Sequence, residues 1–236
     1  MAEIIPAIMP KNYADLGAYA ERVKNFVPLV QIDIMDGVFV RGKTWPYGTD
    51  QKTFELIRAQ KEKLPFADVL EYEIDLMVFE PEHVIEDWMH AGARRIIVHF
   101  ESTKNLKNII RDVAAHVTRG EGSEFEVVSL GIAITTAMPV SVVDPYIDDI
   151  DFVQCMGIEH IGKQGESFDE RVLEQLEELR REHPELILSV DGGVRLKNAK
   201  ALVRAGANRL VSGSAIFDDG DTKEKIQQFY DILKSV

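Results

Sequence analysis

Short apolar runs alternate along the chain with longer amphipathic runs. The apolar runs are rich in β-branched residues and almost continuously hydrophobic, which is typical of parallel strands covered on both faces. They predict eight strands, at Glu3–Ile8, Leu29–Ile34, Leu70–Leu76, Arg94–His99, Glu126–Ile134, Ile150–Gln154, Leu186–Asp191 and Asn208–Ser212. The runs between them predict helices at Tyr13–Phe26, Glu80–Ala91, Ser167–His183 and Arg195–Ala205. Asn12 precedes the first helix as a candidate N-cap.

The order of these elements predicts an α/β fold. Repeated strand–helix units form parallel sheets, and eight of them in 236 residues match the size of a (β/α)8 TIM barrel. The alternative is an open, doubly wound sheet, but no Gly-x-Gly-x-x-Gly follows the first predicted strand. No low-complexity or linker-like segment divides the chain, so we expect residues 1–236 to form a single barrel domain.

Composition and charge narrow the classes of function. The formal net charge of -13 argues against a general nucleic-acid binder, which needs a basic surface, but leaves room for a phosphorylated small molecule in a local pocket. The single cysteine, Cys155, excludes an intrachain disulfide, and the first ten residues lack the basic and apolar segments of a signal peptide. We therefore expect a cytoplasmic protein without nucleic-acid or membrane partners.

Carboxylates stand at the ends of three predicted strands. The active site of such a barrel lies at the C-terminal ends of its strands. Period-2 alternation puts Gln31, Asp33 and Met35 on one face of the second strand. If that face is the interior, Asp33 meets Asp75 of the third strand and Asp191 of the seventh. Like charges so close cannot all ionise at low cost, so either one carboxyl keeps a proton or a cation lies among them.

Glycine-bearing turns follow the late strands. Glycine lets backbone amides approach a ligand closely, and phosphate sites of these barrels often form after the last two strands. The candidate phosphate-binding residues are Gly162, Gly165, Gly192, Gly193, Gly213 and Ser214. Two such turns after consecutive strands, with a third in the preceding loop, predict a phosphorylated ligand.

Five stretches stand out together: IDIMDGVFV at 32–40, VHFE at 98–101, GKQGESF at 162–168, VDGG at 190–193 and AGANRLVSGSAIF at 205–217. With these, the chain resembles the ribulose-phosphate 3-epimerase family almost from end to end. The resemblance implies a (β/α)8 isomerase that interconverts D-ribulose 5-phosphate and D-xylulose 5-phosphate. It implies that Asp33 and Asp191 transfer protons on opposite faces of C3 through a 2,3-enediolate. It also implies a homo-oligomer, because members of the family commonly self-associate.

The candidate metal shell departs from the family pattern. The family has histidine where this chain has Gln31 and Asp75, and those histidines bind a divalent metal together with the two aspartates. Here Gln31, Asp33, Asp75 and Asp191 would form an all-oxygen set, which suits Mg²⁺ or Mn²⁺ better than Zn²⁺. The competing hypothesis is a metal-free site, in which a protonated Asp75 donates a hydrogen bond to the enediolate.

Further departures keep two alternative functions open. The family serine on the first strand is Ala7 here, and the loops with Arg41 and Thr135 also differ. These changes motivate a different proton-transfer isomerase on the same scaffold. The expected substrate pocket comprises Ala7, Met35, Met77 and Met156, the methionines forming an apolar floor. Loss of the histidines motivates a non-catalytic sugar-phosphate sensor, although retention of Asp33 and Asp191 argues against it.

Overall fold

The structure is a computed structural model that describes residues 2–119, 128–163, 165–218 and 220–236, with the backbone alone for residues 116–119. Eight parallel strands close into a barrel in sequence order, and the eighth pairs with the first. The strands are β1 (Glu3–Ile8), β2 (Leu29–Met35), β3 (Glu71–Met77), β4 (Arg95–His99), β5 (Ser129–Thr135), β6 (Phe152–Met156), β7 (Ile187–Asp191) and β8 (Arg209–Ser212). This is the (β/α)8 barrel that the strand–helix alternation predicts.

Helices cover the outside of the barrel. They are α1 (Tyr13–Val23), α2 (Gln51–Arg58), α3 (Ile85–His90), α4 (Leu106–Arg119), α5 (Arg171–Glu182), α6 (Leu196–Ala205), α7 (Ser214–Phe217) and α8 (Thr222–Lys234). Short 3₁₀ segments lie at Pro81–His83, Phe100–Ser102, Val140–Val142 and Asp144–Asp149. No helix in the described ranges has both the length and the apolar character needed to cross a bilayer.

All eight predicted strands are present, and the largest difference that can be assessed is at β6. This strand begins at Phe152, not at Ile150. The Asp151 carboxylate accepts the backbone N–H of Leu130 at 2.7 Å, so a side chain takes the place of a strand carbonyl at this point of the ladder. The predicted start of β5, at Glu126, lies outside the described residues.

Three of the four predicted helices have a boundary that is wrong by more than one residue, whereas α6 begins one residue later than predicted, at Leu196. The first ends at Val23, because the chain tightens there into a turn in which Phe26 N–H donates to the Val23 carbonyl. Its predicted cap is confirmed, since Asn12 Oδ1 accepts the Asp15 N–H at 2.8 Å. The predicted helix Glu80–Ala91 is instead a 3₁₀ turn followed by α3, because Glu80 has a left-handed backbone at φ 53°.

The third wrong boundary is the start of α5, at Arg171 and not at Ser167. The residues just before it are held by side-chain bonds to Asp169. Asp169 accepts from Arg171 and from Thr136 Oγ1, and the Arg171 guanidinium lowers the pKa of this carboxyl to about 2. The chain between Ser167 and α5 is thereby anchored to the loop after β5 in a non-helical form.

Alternation along the strands separates two packed layers. Outward-facing residues such as Ile32, Ile74 and Leu76 are fully buried in the large cluster between strands and helices. Inside the barrel, a smaller apolar group contains Ile97, Ala133, Phe152 and Met156. Gly131 makes room for the Phe152 ring, because a Cβ atom added there would lie 2.3 Å from it.

A charged cluster lies near the N-terminal end of the barrel. Glu3 Oε1 accepts a hydrogen bond from Arg95 Nη1 at 3.1 Å and lies 3.0 Å from Arg209 Nε. The Arg209 guanidinium also stacks over Phe152, at 4.6 Å from the ring centroid. Glu73 is fully buried beside these groups, with Arg95 Nη1 at 3.6 Å from Oε2. The candidate catalytic and metal-binding carboxylates lie toward the opposite, C-terminal end of the barrel.

Candidate active site

Asp33, Asp75 and Asp191 meet at the C-terminal mouth of the barrel. Each offers a carboxylate oxygen, and these oxygens all lie within 4.8 Å of one another. All three side chains are buried. Asp33 and Asp75 are register partners on β2 and β3, while Asp191 arrives from β7, which is not adjacent to either. Closure of the barrel therefore converts three distant sequence positions into one acidic cluster.

The Gln31 side chain links two of these carboxylates. Its amide nitrogen donates to Asp33 Oδ1 at 2.7 Å and to Asp191 Oδ2 at 2.8 Å. Gln31 and Asp33 share the inward face of β2, because alternate residues of a strand point the same way. The amide thus uses both of its N–H groups on the two aspartates, and its Oε1 has no hydrogen-bond partner among the described residues.

Both linked aspartates bind protons more tightly than ordinary carboxyls. Burial raises the pKa of Asp33 well above its usual value, and the charges of Asp191 and Asp75 raise it further. Burial and then the Asp75 charge raise the pKa of Asp191 to about 7, although bonds from Gln31 and from the Gly192 N–H oppose the shift. Near neutral pH the pair can therefore hold one proton between them.

His99 is the residue in this cluster that sequence reasoning left without a role. It ends β4, is buried, and places its ring Nε2 at 2.9 Å from Asp75 Oδ1. The alternation of Ile97 and His99 along β4 is the signal that could have placed it inside the barrel. Asp75 Oδ2 is buried and has no hydrogen-bond partner within the described ranges.

The donor set at the mouth fits a divalent cation. Buried carboxylates packed this closely need a proton or a cation to offset their charge, and Asp75 Oδ2 and Gln31 Oε1 are buried oxygens left without partners in the part of the chain that is described. The available ligands are oxygens, which suit hard cations. Gln31 presents Nε2 to the aspartates, so ligation through Oε1 requires its amide to turn over.

The predicted phosphate-binding residues line one cavity beside the acidic cluster. The six residues are Gly162, Gly165, Gly192, Gly193, Gly213 and Ser214, and the same cavity reaches Asp33 and Asp191. Gly192 and Gly193 have positive φ, and an added Cβ would lie 2.7 Å from Ile158 Cγ1 and 2.8 Å from Phe168 Cα respectively. Only glycine fits these turns, which therefore present backbone with no side chain in the way.

Two cationic side chains stand at the edge of this cavity. Lys163 lies between the glycines of the loop after β6 and pairs with Glu166 at 2.9 Å. Arg195, at the start of α6, places Nη2 at 3.5 Å from Ser214 Oγ. Arg195 was not singled out in the sequence, because its proximity to Ser214 depends on the neighbouring positions of β7 and β8. These cations oppose the acidic net charge locally.

Three of the four predicted pocket residues line the cavity, and the fourth lies outside it. Ala7, Met77 and Met156 line the cavity that contains Asp33 and Asp191. Met35 is buried next to Met77 in an apolar group at the rim and does not line that cavity. The methionines thus form an apolar surface beside the acids, with Met35 behind it.

The end of β2 is fixed by two short polar side chains. Thr44 Oγ1 donates to the Asp33 carbonyl and accepts the Met35 N–H, at 2.7 and 2.8 Å. Asp36 accepts the N–H groups of Val38, Phe39 and Phe79. It therefore ties the loop after β2 to the loop after β3, which explains the second carboxylate in the IDIMDG stretch.

Cys155 lies outside this chemistry. It is fully buried in the layer between barrel and helices, and burial raises the pKa of its thiol to about 12. A thiol in that state is a poor nucleophile at neutral pH. Cys155 is therefore a core residue.

The sequence profile of the Ribulose-phosphate 3 epimerase family matches residues 3–217. The chain belongs to this family. The ribulose-phosphate 3-epimerase of Bacillus subtilis is 31% identical over 234 residues, which cover 97% of this chain and 98% of the relative. That of Schizosaccharomyces pombe is 31% identical over 95% of this chain and 91% of the relative. Epimerases are isomerases, so family membership makes the chain an isomerase.

Solved structures agree on the fold at lower identity. A ligand-bound structure of KGPDC from Streptococcus mutans has a TM-score of 0.69 and 15% identity, covering 100% of this chain and 98% of that chain. Orotidine 5'-phosphate decarboxylase from Pyrococcus horikoshii has a TM-score of 0.65 and 17% identity, covering 99% of this chain and 100% of that chain. These likenesses show the barrel alone and leave the chemistry to the residues at its mouth.

Proposed function

We propose that the chain interconverts D-ribulose 5-phosphate and D-xylulose 5-phosphate, or a closely related pair of ketose phosphates, by proton transfer at C3. The observation that carries the proposal is the Gln31 amide, which bridges Asp33 and Asp191 and holds the two acids together beside one cavity. Membership of the epimerase family and the names of the curated relatives support the same reaction.

Epimerisation requires a base on one face of the sugar and an acid on the other. Because both carboxyls have raised pKa values and lie close together, one can be ionised while the other keeps a proton. The ionised aspartate removes the C3 proton, and the C2 carbonyl becomes part of an enediolate. The protonated aspartate then delivers its proton to the opposite face of C3. Each turnover leaves the former base protonated and the former acid ionised, which is the state that catalyses the reverse reaction, in which Asp33 and Asp191 have opposite roles. Another turnover in the same direction first requires a proton to move from the one carboxyl to the other, directly or by exchange with solvent.

The glycine turns are proposed to bind the phosphate. They lie in the same cavity as Asp33 and Asp191, so a ligand held there by its phosphate places its sugar carbons toward the acids. Backbone N–H groups would supply most of the contacts, with Lys163 and Arg195 offsetting the negative charge. Met77 and Met156 would pack against the carbon chain and exclude water from it.

A divalent cation is proposed to bind Asp33, Asp75 and Asp191, with Mg²⁺ or Mn²⁺ favoured over Zn²⁺ because the ligands are oxygens. When bound, it would stabilise the negative charge that develops on the sugar oxygens. Elemental analysis with a chelator challenge tests this part separately. Full turnover by a protein shown to contain no metal would contradict it and favour the metal-free site.

The reaction is tested by proton exchange. Chelator-treated protein is incubated with D-ribulose 5-phosphate in D₂O and followed by NMR, alone and with Mg²⁺, Mn²⁺ or Zn²⁺. We expect deuterium at C3 together with D-xylulose 5-phosphate. Asp33→Asn and Asp191→Asn should each lower the rate of D-xylulose 5-phosphate formation by about 10²- to 10⁴-fold. The exposed Asp68→Asn should not change this rate.

Three results would contradict the proposal. Formation of D-xylulose 5-phosphate by Asp33→Asn at the wild-type rate would remove the proposed role of that carboxyl. Tight binding of the sugar phosphate with no exchange under any condition would instead favour a sensor. Exchange at a carbon other than C3, or only with another ketose phosphate, would point to a different isomerase on this scaffold.

A further inference from the structure

We propose that His99 is a positioning residue that holds Asp75 in place as a metal ligand; this inference rests on the metal site proposed above. The geometry points to it because one Asp75 oxygen is engaged by His99, while the other is buried and has no partner in the described part of the chain. A residue that fixes Oδ1 leaves Oδ2 available to the cluster formed with Asp33 and Asp191.

His99 is itself held firmly. Its ring is almost fully buried, and the ring of Phe39 packs against it at 5.5 Å between centroids. Ser102 Oγ donates to the His99 carbonyl at 2.7 Å, which fixes the backbone where β4 turns into the 3₁₀ segment. A side chain restrained at backbone and ring can impose its orientation on the carboxylate that it contacts.

This pairing reverses a common arrangement. Where a histidine ligates a metal, it usually donates its second ring N–H to a carboxylate, a backbone carbonyl or a water, and this bond orients the ring. Here the carboxylate lies in the cluster, and the imidazole contacts one of its oxygens, with His99 Nε2 at 2.9 Å from Asp75 Oδ1. The strand position that carries a histidine in the family pattern thus carries an oxygen ligand with a histidine for support.

Loss of the imidazole would leave the Asp75 carboxylate without the one side-chain hydrogen bond that it has among the described residues. The carboxylate could then rotate away from Asp33 and Asp191. Metal binding would have to restore its orientation, and the entropy lost in doing so would weaken the binding. Removing such an outer partner typically lowers metal affinity by about 10- to 100-fold. A replacement that keeps an N–H donor at similar reach should preserve most of the affinity.

The test measures Mn²⁺ binding by titration calorimetry on the chelator-treated full chain, without substrate. We compare wild type, His99→Leu and His99→Gln, because leucine fills the space without a donor and glutamine offers an amide N–H. We expect the dissociation constant to rise about 10- to 100-fold for His99→Leu and to stay close to the wild-type value for His99→Gln. Thermal unfolding of the metal-free proteins controls for general loss of structure.

A double-mutant cycle separates positioning from packing. If His99 acts through Asp75, adding His99→Leu to Asp75→Ala should weaken Mn²⁺ binding no further. The inference is overturned if His99→Leu binds Mn²⁺ as wild type does, if the glutamine and leucine variants lose affinity equally, or if the two changes are additive. It is also overturned if wild type binds no Mn²⁺. That last result removes the proposed metal site but leaves the epimerase proposal to the exchange experiment.

Discussion

Replacement of Glu73 by glutamine should change the stability of the protein in a pH-dependent way. Relative to wild type at the same pH, the variant should be more stable at alkaline pH than at acidic pH. Glu73 points into the barrel from β3 and is fully buried, and neither carboxylate oxygen has a hydrogen-bond partner among the described residues. Burial raises its pKa from 4.5 to about 7, although Arg95 and Arg209 oppose the shift. The folded protein therefore favours the protonated form, which glutamine imitates in shape and charge.

The size of the effect follows from linkage. One pKa unit corresponds to about 1.4 kcal/mol, so a shift from 4.5 to about 7 corresponds to about 3 kcal/mol. Because the folded pKa is raised, the folded state binds the extra proton. This stabilising contribution is complete below the unfolded value of 4.5 and is lost as the pH rises through about 7. The Glu73→Gln variant has no such proton to lose.

The assay is urea unfolding of wild type and Glu73→Gln at intervals from about pH 5 to about pH 8.5. The free energy of unfolding of the variant minus that of wild type should rise with pH by about 2–3 kcal/mol and level off above about pH 8. Glu71→Gln is the matched control, because Glu71 lies two residues earlier on β3 and is exposed. A difference that stays constant with pH for Glu73→Gln, or an equal slope for Glu71→Gln, would refute the reasoning.

Three smaller predictions concern unfolding midpoints in urea. Gly131→Ala should destabilise the barrel by about 1–3 kcal/mol, because the new Cβ would overlap the Phe152 ring; an unchanged midpoint would mean that the ring can move aside. Gly17→Ala should stabilise α1 by about 0.5–1 kcal/mol, because the nearest atom to an added Cβ is 3.9 Å away; a loss of stability would contradict this. Asn12→Ala should cost about 1 kcal/mol through loss of the cap on Asp15 N–H, and Asn12→Ser should recover most of it.

The strands were predictable from sequence because each carries its own signal. Continuous apolar runs mark buried parallel strands, and their alternation places Asp33, Asp75 and Asp191 on inward faces at matched ends. Helix boundaries were less accessible. Nothing local in the sequence shows that Glu80 adopts a left-handed backbone, or that Asp169 is bound to Thr136 across the space between two loops.

The side-chain contacts that define the site could not be predicted from the sequence, for a related reason. Whether Gln31 presents its nitrogen or its oxygen to the aspartates depends on how closely β7 approaches β2 across the barrel. The partnership of His99 with Asp75 depends on the register of β3 against β4, in which Asp75 aligns with Ile97. Both are properties of long-range pairing and side-chain rotamers, which a pattern of polar and apolar positions leaves undetermined.

The glycine turns divide the mouth into regions of unequal mutational tolerance. At Gly162, Gly192 and Gly193 any larger residue meets neighbouring atoms within 2.8 Å and must also adopt a left-handed backbone. Substitutions on that side of the cavity should therefore distort the turns, whichever sugar is bound. Arg41 and Thr135 line a neighbouring cavity, and neither has a left-handed backbone. A directed-evolution library seeking a different ketose phosphate should therefore randomise Arg41 and Thr135 and leave the three glycines untouched.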